Sequence, residues 1–462
     1  MPETGLALAP GADPDKGMMT PLSTLSKERE AETTDVAPVS KAIGFFFKPA
    51  VRSGWTALLN QGVVSVSNFL TGVIIGRSCS KEEFGLYMLG LSLVLAVTDL
   101  QMSLVSTPYM VYSPRFRGCE LGLYAGSCLI HQFALSAVVT LGLSAWGLAL
   151  FLGFGPPGLA RVVWALAATV GFIMFKEFAR RVCFAGLHME TALLLDFCVA
   201  LMQVTGLMLL YRLGILSASR AFWAIGFACG IAGAAWLFLN RRAFMPRVSR
   251  ALSDLGHNWK FGKWIFASGI VWTISVSIYP WFLTAFHGAA SAGVWAACLG
   301  VVALANVPLM GMQNFLGPKT ANIYAQGGAA ALYRFVFKSS LLLLIGMAVL
   351  CGALLTSGDF LLGLFYGGKY VGNGLIVGIL ALGLVAGSSA FSFSRALFVV
   401  ERADMDFKVN FVCLFILLTL GIWLVRTFGP IGAACSFLLS NTAATGVRCA
   451  AFVFVVRSGE GK

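Results

Sequence analysis

Apolar residues run in long blocks along this chain, and short polar segments separate them. The first half has blocks near 55–76, 85–113, 122–153, 158–185, 190–213 and 218–240. The second half has them near 258–286, 291–316, 334–358, 372–400, 406–428 and 431–456. Each reaches the roughly 20 residues a helix needs to cross a bilayer. The longer ones are predicted to tilt or to project past the hydrocarbon. The strict alternation of a barrel strand is absent, which excludes an outer-membrane barrel. The pattern predicts an all-α polytopic membrane protein with twelve transmembrane helices.

The two halves repeat one pattern. Trp55, Gly85, Pro108, Arg181, Phe184, Asp196 and Gly214 are echoed by Trp264, Gly293, Pro318, Arg395, Phe398, Asn410 and Gly429, at offsets of 208 to 215 residues. A near-constant offset points to duplication with a few residues gained in loops. The expected architecture is therefore two six-helix lobes related by an internal repeat, 51–240 and 258–456. A basic linker, 241–257, would join them. Duplicated membrane halves with a path between them are how many secondary transporters are built.

Composition places the solvent. The chain is 58% hydrophobic and 11% charged, with mean hydropathy +0.83, against about a quarter charged for a soluble domain. Its net charge of +13 is not the mark of a nucleic-acid binder, because the charge is sorted by side. With the N-terminus inside, 26 of the 33 Lys and Arg fall on the inner side and 7 on the outer. That bias predicts cytoplasmic termini, with attraction to anionic membrane lipid as a second effect. Residues 1–50 read as a disordered cytoplasmic tail with an interfacial lead-in at Ile43–Lys48, and 457–462 as a second cytoplasmic tail. Of eleven Cys, only Cys79 falls in an expected outer loop, and no metal-ligand spacing occurs, so no disulfide or metal is expected.

Outer loops are too short for a catalytic domain, so polar residues inside the spans are the candidates for chemistry. Asn60, Ser67 and Thr71 share one face of the first span, with Asn68 beside it. Ser92, Asp99, Ser103 and Ser106 are predicted to share a face of the second, with Asp99 near mid-bilayer. A carboxylate there pairs, takes up a proton, or lines water. His131 and Gln132 lie in the third span, and Ser268, Ser275 and Tyr279 mark the seventh. The fourth span ends in Lys176, Glu177, Arg180 and Arg181, where Glu177 and Arg181 have i,i+4 ion-pair spacing. Arg395 is the repeat partner of Arg181, and Arg448 sits inside the last span. Converging, these cations would form a floor for phosphate oxygens, which guanidinium groups grip bidentately. The alternative is that they are anchors at the span ends.

Several segments resemble the oligosaccharide flippase (polysaccharide transporter, O-antigen flippase-like) family, in the superfamily that also holds MATE drug exporters and lipid II flippases. They are Glu82–Tyr87, Phe178–Ala185, Ala292–Trp295 with Pro318, Leu364–Tyr370 and Phe428–Ala434. The resemblance covers roughly residues 50–456. It implies a central cavity that opens alternately to the two sides and a polyprenyl-pyrophosphate-linked oligosaccharide as substrate, moved to the outer leaflet for surface polysaccharide such as lipopolysaccharide. It also implies the bacterial inner membrane and other polysaccharide-assembly membrane proteins as partners. Lys176, Arg180, Arg181, Arg395, Arg448, Asn60, Asn68 and His131 are then the expected substrate-binding residues. Asp99 is the expected site of coupling to H⁺ or Na⁺. No catalytic residue and no cofactor is expected. The acid that MATE exporters place in the first span is missing, with Asn60 and Asn68 there instead. A cation-coupled drug or metabolite exporter is the alternative, and a membrane glycan polymerase or ligase a further one.

Overall fold

The computed structural model describes residues 49–400 and 402–458. The expected tail at 1–41, the lead-in Ile43–Lys48 and residues 459–462 lie outside the described residues. Every regular element among the described residues is helical. The first half contains α1 (Pro49–Ser78), α2 (Lys81–Gln101), α3 (Thr107–Tyr112), α4 (Gly118–Phe151), α5 (Leu159–Ala185), α6 (Met189–Arg212) and α7 (Ala218–Asn240). The second contains α8 (Val248–Ser277), α9 (Tyr279–His287), α10 (Ala289–Ala303), α11 (Asn306–Tyr366), α12 (Gly374–Val399), α13 (Ala403–Ile416) and α14 (Ile422–Ser458).

Nine helices among the described residues are long and apolar enough to cross a membrane, or ten if the bent pair Val248–Ser275 and Tyr279–His287 is one span. This is an integral, multi-pass membrane protein. The difference from twelve predicted spans has local causes. Lys408–Val456 forms one candidate of 49 residues, about 74 Å of helix against a core of about 30 Å. It breaks at Gly429, whose φ of 57° and ψ of −133° suit glycine and interrupt the ladder between two predicted blocks. Ala289–Ala303, with 15 residues, is too short alone and continues into α11.

The linker is shorter than expected. Arg241–Ala243 make a single 3₁₀ turn, and α8 starts at Val248 rather than near 258. Its first two turns are helical because Ala251 and Asn258, one face apart by seven residues, bury against α4. There the Tyr124 hydroxyl donates to Asn258 Oδ1 at 3.0 Å, and His131 Nε2 lies 2.8 Å from the Ala251 carbonyl.

Within the first half, α5 packs against α4, α6 and α7; within the second, α12 packs against α11 and α14. The halves meet along α2, which crosses α8 and α10. At the α2–α10 crossing the backbones touch. A Cβ on Gly85 would meet the Ala289 carbonyl oxygen, and one on Gly293 would meet the Lys81 carbonyl oxygen. In lipid, helices associate through such close packing rather than through hydrophobic drive. The same end is tied further. Arg77 Nη1 donates to the Leu364 carbonyl at 2.9 Å, and Lys369 Nζ donates to the carbonyls of Arg77 and Cys79. Phe84, Tyr366 and Tyr370 fill the space beneath as a buried aromatic cluster.

Candidate functional site

α2 leaves regular α-helical form just past Asp99. Met102–Ser106 is a π-helical turn, which inserts extra backbone into the i,i+4 ladder. The insertion shifts every later side chain around the helix axis. Asp99, Gln101, Met102 and Ser106 face one cavity of about 300 Å³, while Ser92 and Ser103 are not part of its lining. Ser92 instead accepts from Trp281 Nε1 at 2.8 Å, and Ser103 donates to the Asp99 carbonyl at 2.8 Å. The predicted four-residue face is thus divided, with Asp99 and Ser106 toward the cavity and Ser92 and Ser103 engaged elsewhere.

The rest of the cavity wall comes from α1 (Val64, Asn68), α5 (Lys176, Glu177, Arg180, Arg181) and α6 (Val199, Gln203), with Ile225 and Cys229 of α7. Gln101 is buried and held by its donation to the Met174 carbonyl at 3.1 Å. Gln203 donates to Thr71 Oγ1 at 2.6 Å, tying α6 to α1.

The cations on α5 are organised by a residue on the neighbouring helix. Asp196 of α6 is 2% exposed. Its carboxylate lies 2.7 Å from Lys176 Nζ and 3.6 Å from Arg180 Nη1, off the direction of a hydrogen bond but within ion-pair distance. Glu177 completes the cluster, 3.0 Å from Lys176 Nζ and 3.5 Å from Arg180 Nε. The expected Glu177–Arg181 pair is not formed. Glu177 is drawn to the two cations that Asp196 also holds, and Arg181 lies over the Phe184 ring at 5.8 Å. Arg181 makes no ion pair among the described residues. Asp99, on the other wall, accepts a hydrogen bond from Thr273 of α8.

Five of the nine nominated residues therefore come together here: Asn68, Asp99, Lys176, Arg180 and Arg181. The other four do not. His131 is buried at the α4–α8 contact, where its ring is used by the Ala251 carbonyl. Asn60 is 3% exposed and lies outside the cavity lining. Arg395 is exposed and lines neither this cavity nor the next. Arg448 belongs to a separate, smaller cavity of about 100 Å³ with Ser275, Tyr279, Asn410 and Ser440, where its Nη2 donates to Asn410 Oδ1 at 2.8 Å. The single cationic floor is thus replaced by two sites, one in each half. Each is anchored by one member of the repeat pair Asp196 and Asn410.

Sequence reasoning missed Asp196, Gln101 and Gln203, and gave Glu177 a different partner. Asp196 carried a signal, since it was half of a repeat pair and an acid within a span.

No protein-family model matches the chain, and no curated protein matches its sequence. Solved structures do match its fold. An inward-facing multidrug resistance MATE family transporter of the MOP superfamily superposes with a TM-score of 0.68 at 16% identity, covering 87% of this chain and 98% of that one. An outward-facing structure of such a transporter gives 0.57 at 17% identity, covering 88% and 95%. A variant of the Vibrio cholerae MATE transporter VcmN gives 0.59 at 16% identity, covering 88% and 96%. The chain has the MATE-like, all-helical, multi-span membrane fold of that superfamily.

Proposed function

We propose that this protein is an alternating-access flippase. It moves a polyprenyl-pyrophosphate-linked oligosaccharide across the membrane, with both termini on the cytoplasmic side. The observation that carries this reading is the convergence of Lys176, Arg180 and Arg181 on one cavity inside apolar helices. Glu177 and Asp196 form ion pairs with Lys176 and Arg180, which leaves Arg181 as the cation offered to a ligand. A guanidinium suits pyrophosphate because it grips two oxygens at once. Displacing part of the Glu177 cluster would bring the other two cations to a second phosphate.

At about 300 Å³ the cavity is at the small end of ligand sites. It holds a headgroup, and the glycan requires the halves to open. The α2–α10 crossing closes one end, so opening there is the larger rearrangement. Asp99 is the acid for H⁺ or Na⁺ exchange: it faces the same cavity and is held by a helix of the other half.

A second reading is a cation-coupled exporter of drugs or metabolites. The MATE-like fold and the cavity-facing acids Asp99 and Glu177 favour it. Binding separates the two. Purified protein should bind inorganic pyrophosphate, and Arg181→Ala should weaken that at least tenfold. Binding of a cationic dye through Asp99, with no pyrophosphate binding, would establish the exporter instead.

A further inference from the structure

The smaller cavity of about 100 Å³ in the second half is a repeat copy of the first. Val199, Gln203, Phe222, Ile225 and Cys229 line the first cavity. Their repeat partners Cys413, Leu417, Phe437, Ser440 and Ala444 line the second, at offsets of 214 or 215 residues. The duplication therefore built one cavity twice and furnished it differently. Ile225 and Gly233 of the first half correspond to Ser440 and Arg448 of the second. These two exchanges place a hydroxyl and a guanidinium where the first half has neither. Arg448 Nη2 donates to Asn410 Oδ1 at 2.8 Å, and with five N–H donors a guanidinium is not exhausted by that bond. Ser440 Oγ is buried with no hydrogen-bond partner among the described residues. A buried hydroxyl in that condition calls for a ligand or a water. Tyr279 adds a hydroxyl that also meets Ser436 Oγ at 3.2 Å, and Asn410 adds its amide nitrogen. Ser275 and Asn441 spend their donors on the carbonyls of Val271 and Phe437. No carboxylate is among the described lining residues, whereas Asp99 and Glu177 line the first cavity.

We propose that this second cavity binds a small free oxyanion of the size and shape of phosphate. Arg448 supplies the charge, and the hydroxyls of Ser440 and Tyr279 with the Asn410 amide supply neutral donors to the remaining oxygens. Hydrogen bonds from a charged donor are the strong ones, so the guanidinium sets affinity and the neutral groups refine it. The same guanidinium repels a metal cation. The volume equals that of about three waters, so the cavity takes the anion without an ester substituent.

The site stands apart from the pyrophosphate reading of the first cavity, and the test keeps them apart. Full-length protein in maltoside detergent is titrated with radiolabelled inorganic phosphate by equilibrium dialysis. Arg181→Ala alters only the first cavity and should retain a phosphate site. In that background Arg448→Gln, whose amide can still reach Asn410, should weaken the site at least about tenfold. Ser440→Ala should weaken it about three- to tenfold, and it removes an atom with no protein partner, so the fold tolerates it. Glycerol phosphate, the same anion as an ester, should bind at least about tenfold more weakly than phosphate. Absence of phosphate binding to the unaltered protein overturns the proposal. So does its complete loss in Arg181→Ala, which would place the anion in the first cavity, and so does unchanged affinity in both Arg448→Gln and Ser440→Ala. Equal binding of glycerol phosphate would assign the site to an esterified headgroup and overturn the free anion.

Discussion

Gly85 and Gly293 lie against each other's helix so closely that neither can carry a Cβ. The contact is reciprocal: Gly85 faces Ala289 and the amide of Gly293, and Gly293 faces Lys81 and the amide of Gly85. Both pairs, Lys81 with Ala289 and Gly85 with Gly293, are 208 residues apart. The internal repeat thus meets itself at the crossing. The offset first seen as a sequence pattern becomes the place where the halves touch backbone to backbone.

Gly85→Leu or Gly293→Leu should force the two helices apart at this end. Overpacking of this kind costs about 1–3 kcal/mol, so thermal stability in detergent should fall for both. Gly62→Leu, on the open face of α1, adds the same side chain with no neighbour within 4 Å and should leave stability unchanged. Equal stability for all three variants would mean that the crossing is not closely packed.

Cys79 reports the state of the same end. It is 7% exposed, its Sγ donates to the Leu216 carbonyl at 3.6 Å, and burial with the nearby Glu83 pushes its thiol up to about 11. Thiolate is the reactive form. Maleimide should therefore label Cys79 slowly at pH 8, with a rate that climbs about tenfold per pH unit until the thiol ionises. Cys119, which is exposed, is the internal control. Gly293→Leu should accelerate labelling at Cys79 and not at Cys119. Equal rates at the two cysteines in the unaltered protein would contradict a closed end.

Lys176 and Asp196 form a buried pair that should be strongly coupled. Lys176→Met leaves Asp196 with only Arg180 at 3.6 Å. Removing one partner of a buried pair typically costs about 3–5 kcal/mol. Asp196→Asn added to Lys176→Met should restore part of the loss. A double-mutant cycle should then give a coupling above about 1 kcal/mol, and strict additivity would show that the pair is not energetically linked.

Asp99→Asn should leave folding intact, because the amide oxygen still accepts from Thr273. Transport in vesicles should lose its dependence on an imposed H⁺ or Na⁺ gradient. Undiminished gradient dependence would remove Asp99 from coupling.

The helical blocks were legible because a bilayer demands long apolar runs, and twelve of them line up with helices or helix pairs. The Lys176–Arg181 cluster was legible because four charged residues in one span stand out. The pairing of that cluster with Asp196 was not, since it joins adjacent helices and no spacing rule reaches across them. The change of helix form beyond Asp99 was hidden for another reason. The π turn at Met102–Ser106 contains no Gly or Pro to announce it. His131 and Arg448 show the same limit from the other side: each looked like a cavity residue, and each is taken by a partner more than thirty residues away in sequence, Ala251 and Asn410.

In the proposed function the cavity carries an anionic lipid headgroup across the membrane. The most direct measurement reconstitutes the protein in vesicles that hold a polyprenyl-pyrophosphate-linked, fluorescently labelled sugar, and follows loss of protection from an impermeant quencher. The protein should speed equilibration between leaflets well above that of protein-free vesicles. Arg181→Ala should slow it roughly ten- to a hundredfold, the range of one lost hydrogen-bonded charge. Equilibration no faster than in protein-free vesicles, together with uptake of a cationic dye by the same preparation, would rule out the flippase and leave the exporter.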